Sequence, residues 1–110
     1  MKRYELYSVN LDPTIGVEMN KTRPGLIVSP DEMNRHVQSV IVAPLTTRHR
    51  NIPSRIKIEA SVINGLSETS YVALDQIKTI DKIRCNKRIG IIPDADAMKI
   101  ADLLVELFRY

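Results

Sequence analysis

Only one stretch of this 110-residue chain has the periodicity of an α-helix, and it lies at the C-terminal end. Between Pro93 and Arg109, apolar side chains recur at helical spacing and charged side chains occupy the opposite face. Asp94 or Asp96 is placed to cap the start of this helix. The predicted packing face consists of Ala97, Ile100, Ala101, Leu104 and Phe108. The rest of the chain must therefore build the core on which this helix packs.

Before this helix the chain reads as a series of short strands. Strand patterns cover Tyr4–Leu11, Pro24–Ser29, Val40–Leu45, Arg55–Glu59, Ser70–Leu74 and Arg88–Ile92. Pro44 indicates an edge or a bulge, Asn64-Gly65 predicts a turn, and Pro30–Arg35 suits one helical turn with Ser29 as its N-cap. Five or six strands and one helix predict a mainly β (α+β) fold. We expect an SH3-like antiparallel β-barrel with a C-terminal α-helix, in one domain over residues 1–110.

Composition excludes several classes of protein. No apolar run approaches the ~20 residues that span a bilayer, and the N-terminus lacks the core of a signal peptide, so we expect a soluble, cytoplasmic protein that contacts no membrane. Cys85 is the only cysteine, so no internal disulfide can form. One cysteine and two histidines at unrelated spacings make no recognisable zinc site, and we expect neither a metal nor a cofactor.

Charge is unevenly distributed along the chain, although the net charge is only +3. The segment from Thr46 to Lys57 carries four basic residues and no acid, and a second basic segment runs from Lys78 to Arg88. The C-terminal helix is acidic. This distribution suits a protein with one positive face for an acidic ligand, although ordinary solvated surface charge accounts for it equally well.

A connection of twelve residues, Asp12–Arg23, interrupts the strands. Long connections without regular structure in small domains tend to be functional. Pro24 holds Arg23 extended, which presents its guanidinium from the start of a strand, and an arginine presented in this way suits a phosphate. In the alternative interpretation Arg23 pairs with Glu18 or Asp12 and merely braces the loop, which is the commoner arrangement for such local sequence.

Six segments along the chain together form a recognisable series of motifs. They are Leu11-Asp12-Pro13-Thr14-x-Gly16-x-Glu18, Lys21-x-Arg23-Pro24, Leu26-Ile27-Val28-Ser29-Pro30, Asn34-Arg35, Val42-x-Pro44-Leu45-Thr46-Thr47 and Leu74-Asp75-Gln76-Ile77-Lys78-Thr79-Ile80-Asp81. In this order they resemble the motifs of the MazF/PemK (Kid) toxins over nearly the whole chain. Two positions depart from that pattern: Tyr4 replaces a glycine near the N-terminus, and Val17 stands where serine or histidine is frequent.

The resemblance implies an SH3-like barrel, a homodimer, and cleavage of single-stranded RNA at short sequences. It also implies inhibition by an antitoxin whose acidic segment occupies the RNA groove. By motif position, Arg23, Thr46 and Asp75 are the implied catalytic residues. The implied RNA-binding residues are Glu18, which could instead orient Arg23, and Lys21, Thr47, Arg48, Arg50 and Lys78.

The chemistry expected from these residues needs no metal ion, because RNA supplies its own 2′-hydroxyl nucleophile. Arg23 would neutralise the non-bridging oxygens and Thr46 would donate a hydrogen bond to one of them. The proton acceptor stays open: arginine is effectively always protonated, and an exposed carboxylate such as Asp75 is a poor base near neutrality. Two alternatives remain: a non-catalytic toxin that poisons a protein such as DNA gyrase, and a barrel that only binds nucleic acid.

Overall fold

A computed structural model describes all residues from 1 to 110. The strands are β1 (Glu5–Asn10), β2 (Thr22–Ile27), β3 (Ser39–Thr46), β4 (Arg55–Ile58), β5 (Ser70–Ala73), β6 (Lys78–Asp81) and β7 (Cys85–Ile91). The helices are α1 (Asp31–His36) and α2 (Asp94–Phe108), and two 3₁₀ turns cover Leu74–Gln76 and Lys82–Arg84. The predicted mainly β fold with a C-terminal helix is confirmed.

All strand pairs are antiparallel, in the order β4-β5-β3-β2-β1-β7, with β6 attached to β3. Strand β3 pairs with β6 over Ser39–Val42 and with β5 at Leu45 and Thr46. Pro44, predicted to mark an edge or a bulge, lies instead in an interior strand, where it pairs with Gly25 of β2. On its other side it falls between the pairings with β6 and β5, where β3 changes partner. Such a position tolerates a residue without a backbone N–H.

The sheet is not closed into a barrel, because β4 and β7 do not pair. The connection between β4 and β5 lies against β7 instead, and the Ile91 N–H donates to the Ile63 carbonyl at 3.1 Å. Gly90 approaches this connection so closely that a Cβ there would lie 2.4 Å from the Asn64 carbonyl. Gly65 has a φ of +70°, as its turn requires. A loop therefore bridges the two ends of the sheet.

Two clusters of buried side chains fill the space inside the curved sheet. The larger cluster lies beneath α2 and includes Leu6, Leu26, Leu45, Val72 and Ile100. The smaller cluster comprises Val9, Leu11, Ile27, Val40, Val42 and Ile80. Strand β6 was not predicted, because within its four residues only Ile80 is buried, too little to produce a strand pattern.

Helix α2 differs from the sequence prediction in two details, its packing face and its N-cap. Ala97 and Ile100 are buried as expected, but Phe108 is 69% exposed, because the C-terminal end of α2 extends past the core. Pro93 precedes α2, and neither Asp94 nor Asp96 caps it through a side-chain hydrogen bond. No helix is long and apolar enough to cross a membrane.

Helix α1 is likewise not capped by Ser29. The Ser29 hydroxyl donates to the Asn34 side-chain oxygen at 2.5 Å and accepts the Ile41 N–H at 3.0 Å. Both Ser29 and Asn34 are buried, so these bonds satisfy groups that cannot reach water. The serine therefore joins α1 to β3 instead of starting the helix.

Candidate nucleic-acid interface

The connection between β1 and β2 is held at its base by hydrogen bonds to the backbone. The Leu11 N–H donates to the Lys21 carbonyl at 3.0 Å, and the Lys21 N–H donates to the Asp12 carboxylate at 3.0 Å. From the second 3₁₀ turn, Arg84 donates to the carbonyls of Asn10 and Asp12. The loop therefore leaves and rejoins the sheet in a fixed geometry.

The tip of the same connection is attached to a different element. The Met19 N–H donates to the side-chain oxygen of Gln76 at 3.0 Å, at the end of the first 3₁₀ turn. Glu18 accepts the Ile15 N–H at 3.2 Å and so closes a turn inside the loop. Motif position alone singled out neither Gln76 nor Arg84 as a supporting residue, because both act through contacts distant in sequence.

Arg23 lies near the start of β2 and pairs with Val9 of β1. Its Nε donates to the Asn20 carbonyl at 2.7 Å, and it takes part in no ion pair. The structure therefore does not show the loop brace in which Arg23 pairs with Glu18 or Asp12. A carbonyl fixes the guanidinium without neutralising it, so the terminal N–H groups stay available to an anion.

Arg23 and Thr46 line the same open groove, which has a volume of about 740 Å³. Six of the nine predicted site residues lie along it: Arg23, Thr46, Asp75, Thr47, Arg48 and Arg50. Glu18 and Lys78 line an adjoining cavity, which shares Asp75 with the groove. Lys21 is exposed and lines neither space.

The Thr46 hydroxyl accepts one hydrogen bond and keeps its own O–H group available as a donor. Its Oγ1 accepts the Arg48 N–H at 3.1 Å, so the side chain is fixed by its own backbone turn. A hydroxyl that accepts one hydrogen bond still has a proton to donate. Thr46 can therefore donate to an anion that Arg23 binds in the groove.

Asp75 is already occupied by Arg55, which lines the same groove. Arg55 binds the carboxylate through Nε at 2.6 Å and through Nη2 at 2.9 Å, and the Ser54 hydroxyl donates to it at 3.1 Å. The hydrogen bond from Arg55 is the main cause of the lowered pKa of Asp75. Asp75 is therefore ionised at neutral pH and a weak proton acceptor.

Sequence reasoning missed Arg55 as a site residue. The alternation of β4, Arg55-Ile56-Lys57-Ile58, predicts the charged side chains on the solvent face, yet the Arg55 side chain is only 7% exposed. Its carboxylate partner lies 20 residues further along the chain, and no local pattern links the two. Only the pairing of β4 with β5, which aligns Arg55 with Ala73, brings them together.

The groove carries a surplus of positive charge. Four arginines line it against one carboxylate: Arg23, Arg48, Arg50 and Arg55 against Asp75. This surplus of positive charge suits a phosphate-bearing chain.

Two further observations concern the surroundings of the groove. In the exposed loop after β3, the ring of His49 packs against that of Tyr71, with 5.0 Å between the ring centroids. Nowhere in the chain do three or more His, Cys, Asp or Glu side chains converge as metal ligands do.

The family described as a PemK-like, MazF-like toxin of type II toxin-antitoxin systems matches residues 2–108. Endoribonuclease EndoA of Bacillus subtilis is 32% identical over 106 residues, covering 94% of this chain and 90% of that protein. The structure of an endoribonuclease in complex with its cognate antitoxin from a mycobacterial species has a TM-score of 0.79 at 29% identity. That alignment covers 96% of this chain and 92% of the other.

The structure of MazF from Deinococcus radiodurans has a TM-score of 0.86, covering 100% of this chain and 97% of that one, and at 22% identity it supports the fold alone. These similarities extend over nearly the whole chain, as the resemblance of the sequence motifs does. The chain therefore belongs to the PemK-like, MazF-like family of toxins from type II toxin–antitoxin systems.

Proposed function

We propose that the groove binds single-stranded RNA and that the chain cleaves it at short sequences without a metal ion. The chain is an endoribonuclease, the activity for which its Bacillus subtilis relative is named. The observation that carries the proposal is Arg23, held by a neutral carbonyl with its terminal N–H groups free, on the same groove as the Thr46 hydroxyl.

In the proposed reaction the ribose 2′-oxygen attacks the adjacent phosphorus, and the bond from phosphorus to the 5′-oxygen breaks. The products are a 2′,3′-cyclic phosphate and a free 5′-hydroxyl; a proton leaves the 2′-oxygen and one reaches the 5′-oxygen. Negative charge develops on the non-bridging oxygens, where Arg23 neutralises it and Thr46 donates a hydrogen bond. RNA brings its own nucleophile, so no metal-bound water is needed.

Asp75 serves this reaction chiefly by holding Arg55 against the groove. Its lowered pKa makes it a weak base, since the Arg55 guanidinium stabilises the charged carboxylate. The exposed Thr47, Arg48 and Arg50 lie further along the groove, and Lys21, Glu18 and Lys78 beside it. We assign these six residues to binding the RNA strand on either side of the cleaved phosphate.

The experiment is cleavage of a long unstructured RNA by wild-type protein, Arg23→Ala, Arg23→Lys and Thr46→Ala, each with excess EDTA. Wild-type cleavage should persist in EDTA. Arg23→Ala should lose about 10²–10³ in rate, the usual cost of one donor to a developing oxyanion, and Thr46→Ala should lose less. Lysine should rescue little, because an ammonium cannot make the two-pronged contact. Activity lost in EDTA and restored by magnesium would contradict the mechanism, and an active Arg23→Ala would contradict the site.

An acidic antitoxin and a second copy of the chain are the proposed protein partners. The support for the antitoxin is the mycobacterial endoribonuclease, whose structure contains its cognate antitoxin, together with the positive groove described above. The second copy is inferred chiefly from the family resemblance. We place the antitoxin on the surface from Thr46 to Lys57 and beside Arg23. Adding antitoxin should therefore displace RNA, and RNA cleavage that continues at full rate in the complex would exclude a shared surface.

The alternative of a non-catalytic toxin that poisons a protein such as DNA gyrase is not favoured. Two similar proteins are named as endoribonucleases: EndoA of Bacillus subtilis, whose alignment covers 94% of this chain, and the protein in the mycobacterial structure. RNA cleavage by purified protein separates the two functions, since a toxin that acts only by binding a protein leaves RNA intact.

A further inference from the structure

A second cavity, of about 490 Å³, adjoins the groove at Arg23 and Thr47, which line both spaces. We propose that this cavity is a subsite for the nucleotide next to the cleaved phosphate. Lys87 and Arg88 bind that nucleotide's phosphate, and Glu68 selects a base with an amino group over uracil. This inference rests on the proposed function and extends it to the choice of sequence.

The position of the cavity follows from the open sheet. It lies where β2, the end of β3, the start of β5 and β7 meet the connection between β4 and β5. Arg23 is common to both spaces, so an RNA strand whose phosphate contacts Arg23 has a neighbouring nucleotide at the mouth of this cavity. A volume of this size lies within the range of small-ligand sites.

Arg88 in this cavity is fixed through its Nε, as Arg23 is, but its partner is a carboxylate and not a neutral carbonyl. Its Nε donates to the Glu5 carboxylate at 2.7 Å, its terminal nitrogens donate no hydrogen bond, and its side chain is 50% exposed. Glu5 is 11% exposed and also accepts the Lys2 N–H at 2.6 Å. Burial alone would raise the pKa of Glu5, but the bonds from Arg88 and Lys2 lower it overall, so the carboxylate stays charged and fixes Arg88.

Lys87 is the cation of β7 that no carboxylate neutralises, whereas Arg88 is paired with Glu5. It is exposed, lines the cavity and takes part in no ion pair. With Arg23, the cavity therefore has two cations without a carboxylate partner. When these cations bind a phosphate, the counterions of that phosphate are released, so the affinity for RNA depends on the salt concentration.

The wall that carries Glu68 begins in a rigid turn. Asn64 is 2% exposed, and its side-chain oxygen accepts the N–H groups of Ser61 and Leu66, both at 3.0 Å. Its amide donates to the Glu59 carbonyl at 2.8 Å. Because Gly90 packs directly against this turn, the wall is built before any ligand arrives.

Glu68 gives the cavity a way to choose between bases. Its carboxylate takes part in no ion pair and can only accept hydrogen bonds. Adenine, cytosine and guanine each offer an exocyclic amino group to an acceptor, whereas uracil offers one N–H between two carbonyl oxygens. A carboxylate at this place therefore disfavours uracil.

The first test is cleavage of a pool of random-sequence RNA 20-mers, with the product ends sequenced. Wild-type protein should disfavour uracil at one of the two positions that flank the cut, and Glu68→Gln should weaken that preference about tenfold. Glutamine keeps the size of the side chain but offers both a donor and an acceptor. Equal base frequencies for wild type and Glu68→Gln at both flanking positions overturn the role of Glu68.

The second test measures binding to the cleaved sequence carrying a 2′-deoxyribose at the cut, which lacks the nucleophile. Lys87→Ala should weaken binding and lower the slope of log K against log salt by about one. Lys99→Ala is the matched control, because Lys99 is exposed on α2 and lines neither space. Slopes that are equal for wild type and Lys87→Ala overturn the phosphate contact.

These outcomes separate the subsite from the function on which it rests. If wild type cuts no RNA, or if Arg23→Ala cuts as well as wild type, the proposed function fails and the subsite with it. If cleavage depends on Arg23 but neither Glu68→Gln nor Lys87→Ala differs from wild type, the function stands and the subsite is wrong.

Discussion

Arg23 and Arg55 lie on the same groove but are held by opposite kinds of partner. Arg55 binds a carboxylate through two nitrogens, so most of its charge is already satisfied. Arg23 is held by the carbonyl of Asn20, which orients it and leaves its charge for a ligand. A phosphate gains more from a cation without an anionic partner, which explains why Arg23 and not Arg55 is the proposed catalytic residue.

The pair of Arg55 and Asp75 makes stability depend on pH. Its contribution is complete above the ordinary carboxyl pKa of 3.8 and is lost as the pH falls through the lowered pKa of folded Asp75. We expect Asp75→Asn to lower the free energy of unfolding at pH 7 by about 1–3 kcal/mol, because it leaves the nearly buried Arg55 without its charged partner.

This difference should shrink steadily below pH 4, as measured by urea unfolding of both proteins. Glu59→Gln is the control, since the Lys57–Glu59 pair is exposed and such pairs contribute little. A difference between wild type and Asp75→Asn that is as large at pH 3 as at pH 7 would show that the pair is not its source.

At the scale of elements, the connection between β1 and β2 is ordered although it has no regular structure. Two 3₁₀ turns hold it, through Arg84 at its base and Gln76 at its tip. Lys21 has a φ of +66°, which costs a residue with a side chain about 1 kcal/mol, and its backbone bonds to Leu11 and Asp12 compensate for that strain. Arg23 is therefore presented from a fixed frame.

Removing the support at the base should reduce catalysis more than binding. We expect Arg84→Ala to lower kcat for RNA cleavage by about 10–100-fold with a smaller change in KM, because a displaced Arg23 aligns the transition state less well. Arg84→Lys should recover part of this loss. Arg35→Ala, an exposed arginine on α1, is the control. If Arg84→Ala keeps the wild-type kcat, the loop does not depend on this contact.

The loop that bridges the ends of the sheet depends on a glycine in β7. We expect Gly90→Ala to destabilise the protein by about 3 kcal/mol, because the new Cβ would lie 2.4 Å from the backbone of Asn64. Gly16→Ala is the comparison: it has a φ of +58° but open space around it, so about 1 kcal/mol is expected. Urea unfolding that ranks Gly16→Ala as the more damaging would contradict the bridging contact.

At the scale of the whole molecule, the open sheet places two spaces side by side, joined at Arg23 and Thr47. The second space lies in the corner between β7 and the connection from β4 to β5, where the sheet is open. The same fold leaves apolar side chains exposed at the end of α2, among them Val105, Leu107 and Phe108. Exposed apolar clusters of this kind often mark contacts with other chains.

The assembly state is the prediction at this scale. We expect a homodimer, chiefly from the family resemblance and because one chain alone offers an open, shallow groove for RNA. Sedimentation of the purified protein at micromolar concentration should give twice the chain mass of 12.5 kDa. A species of single-chain mass under those conditions would contradict the dimer.

The sequence by itself determined the elements with strong local patterns and the family. Helix α2, most of the strands and the Asn64-Gly65 turn follow from periodicity and backbone preference, which neighbouring residues fix. The motif order pointed to Arg23, Thr46 and Asp75, and the structure places all three on one groove. The contact between Arg23 and the Asn20 carbonyl spans only three residues, but sequence could not choose it over a carboxylate partner.

Only the tertiary structure decided what depends on residues far apart in the chain. Strand β6 has one buried residue and forms because β3 offers it an edge. The carboxylate of Asp75 is occupied because β4 and β5 pair. The sheet is open because β4 and β7 do not pair, and the connection between β4 and β5 packs on Gly90 of β7 instead. Such contacts are set by how the chain folds back on itself, which composition and spacing do not encode locally.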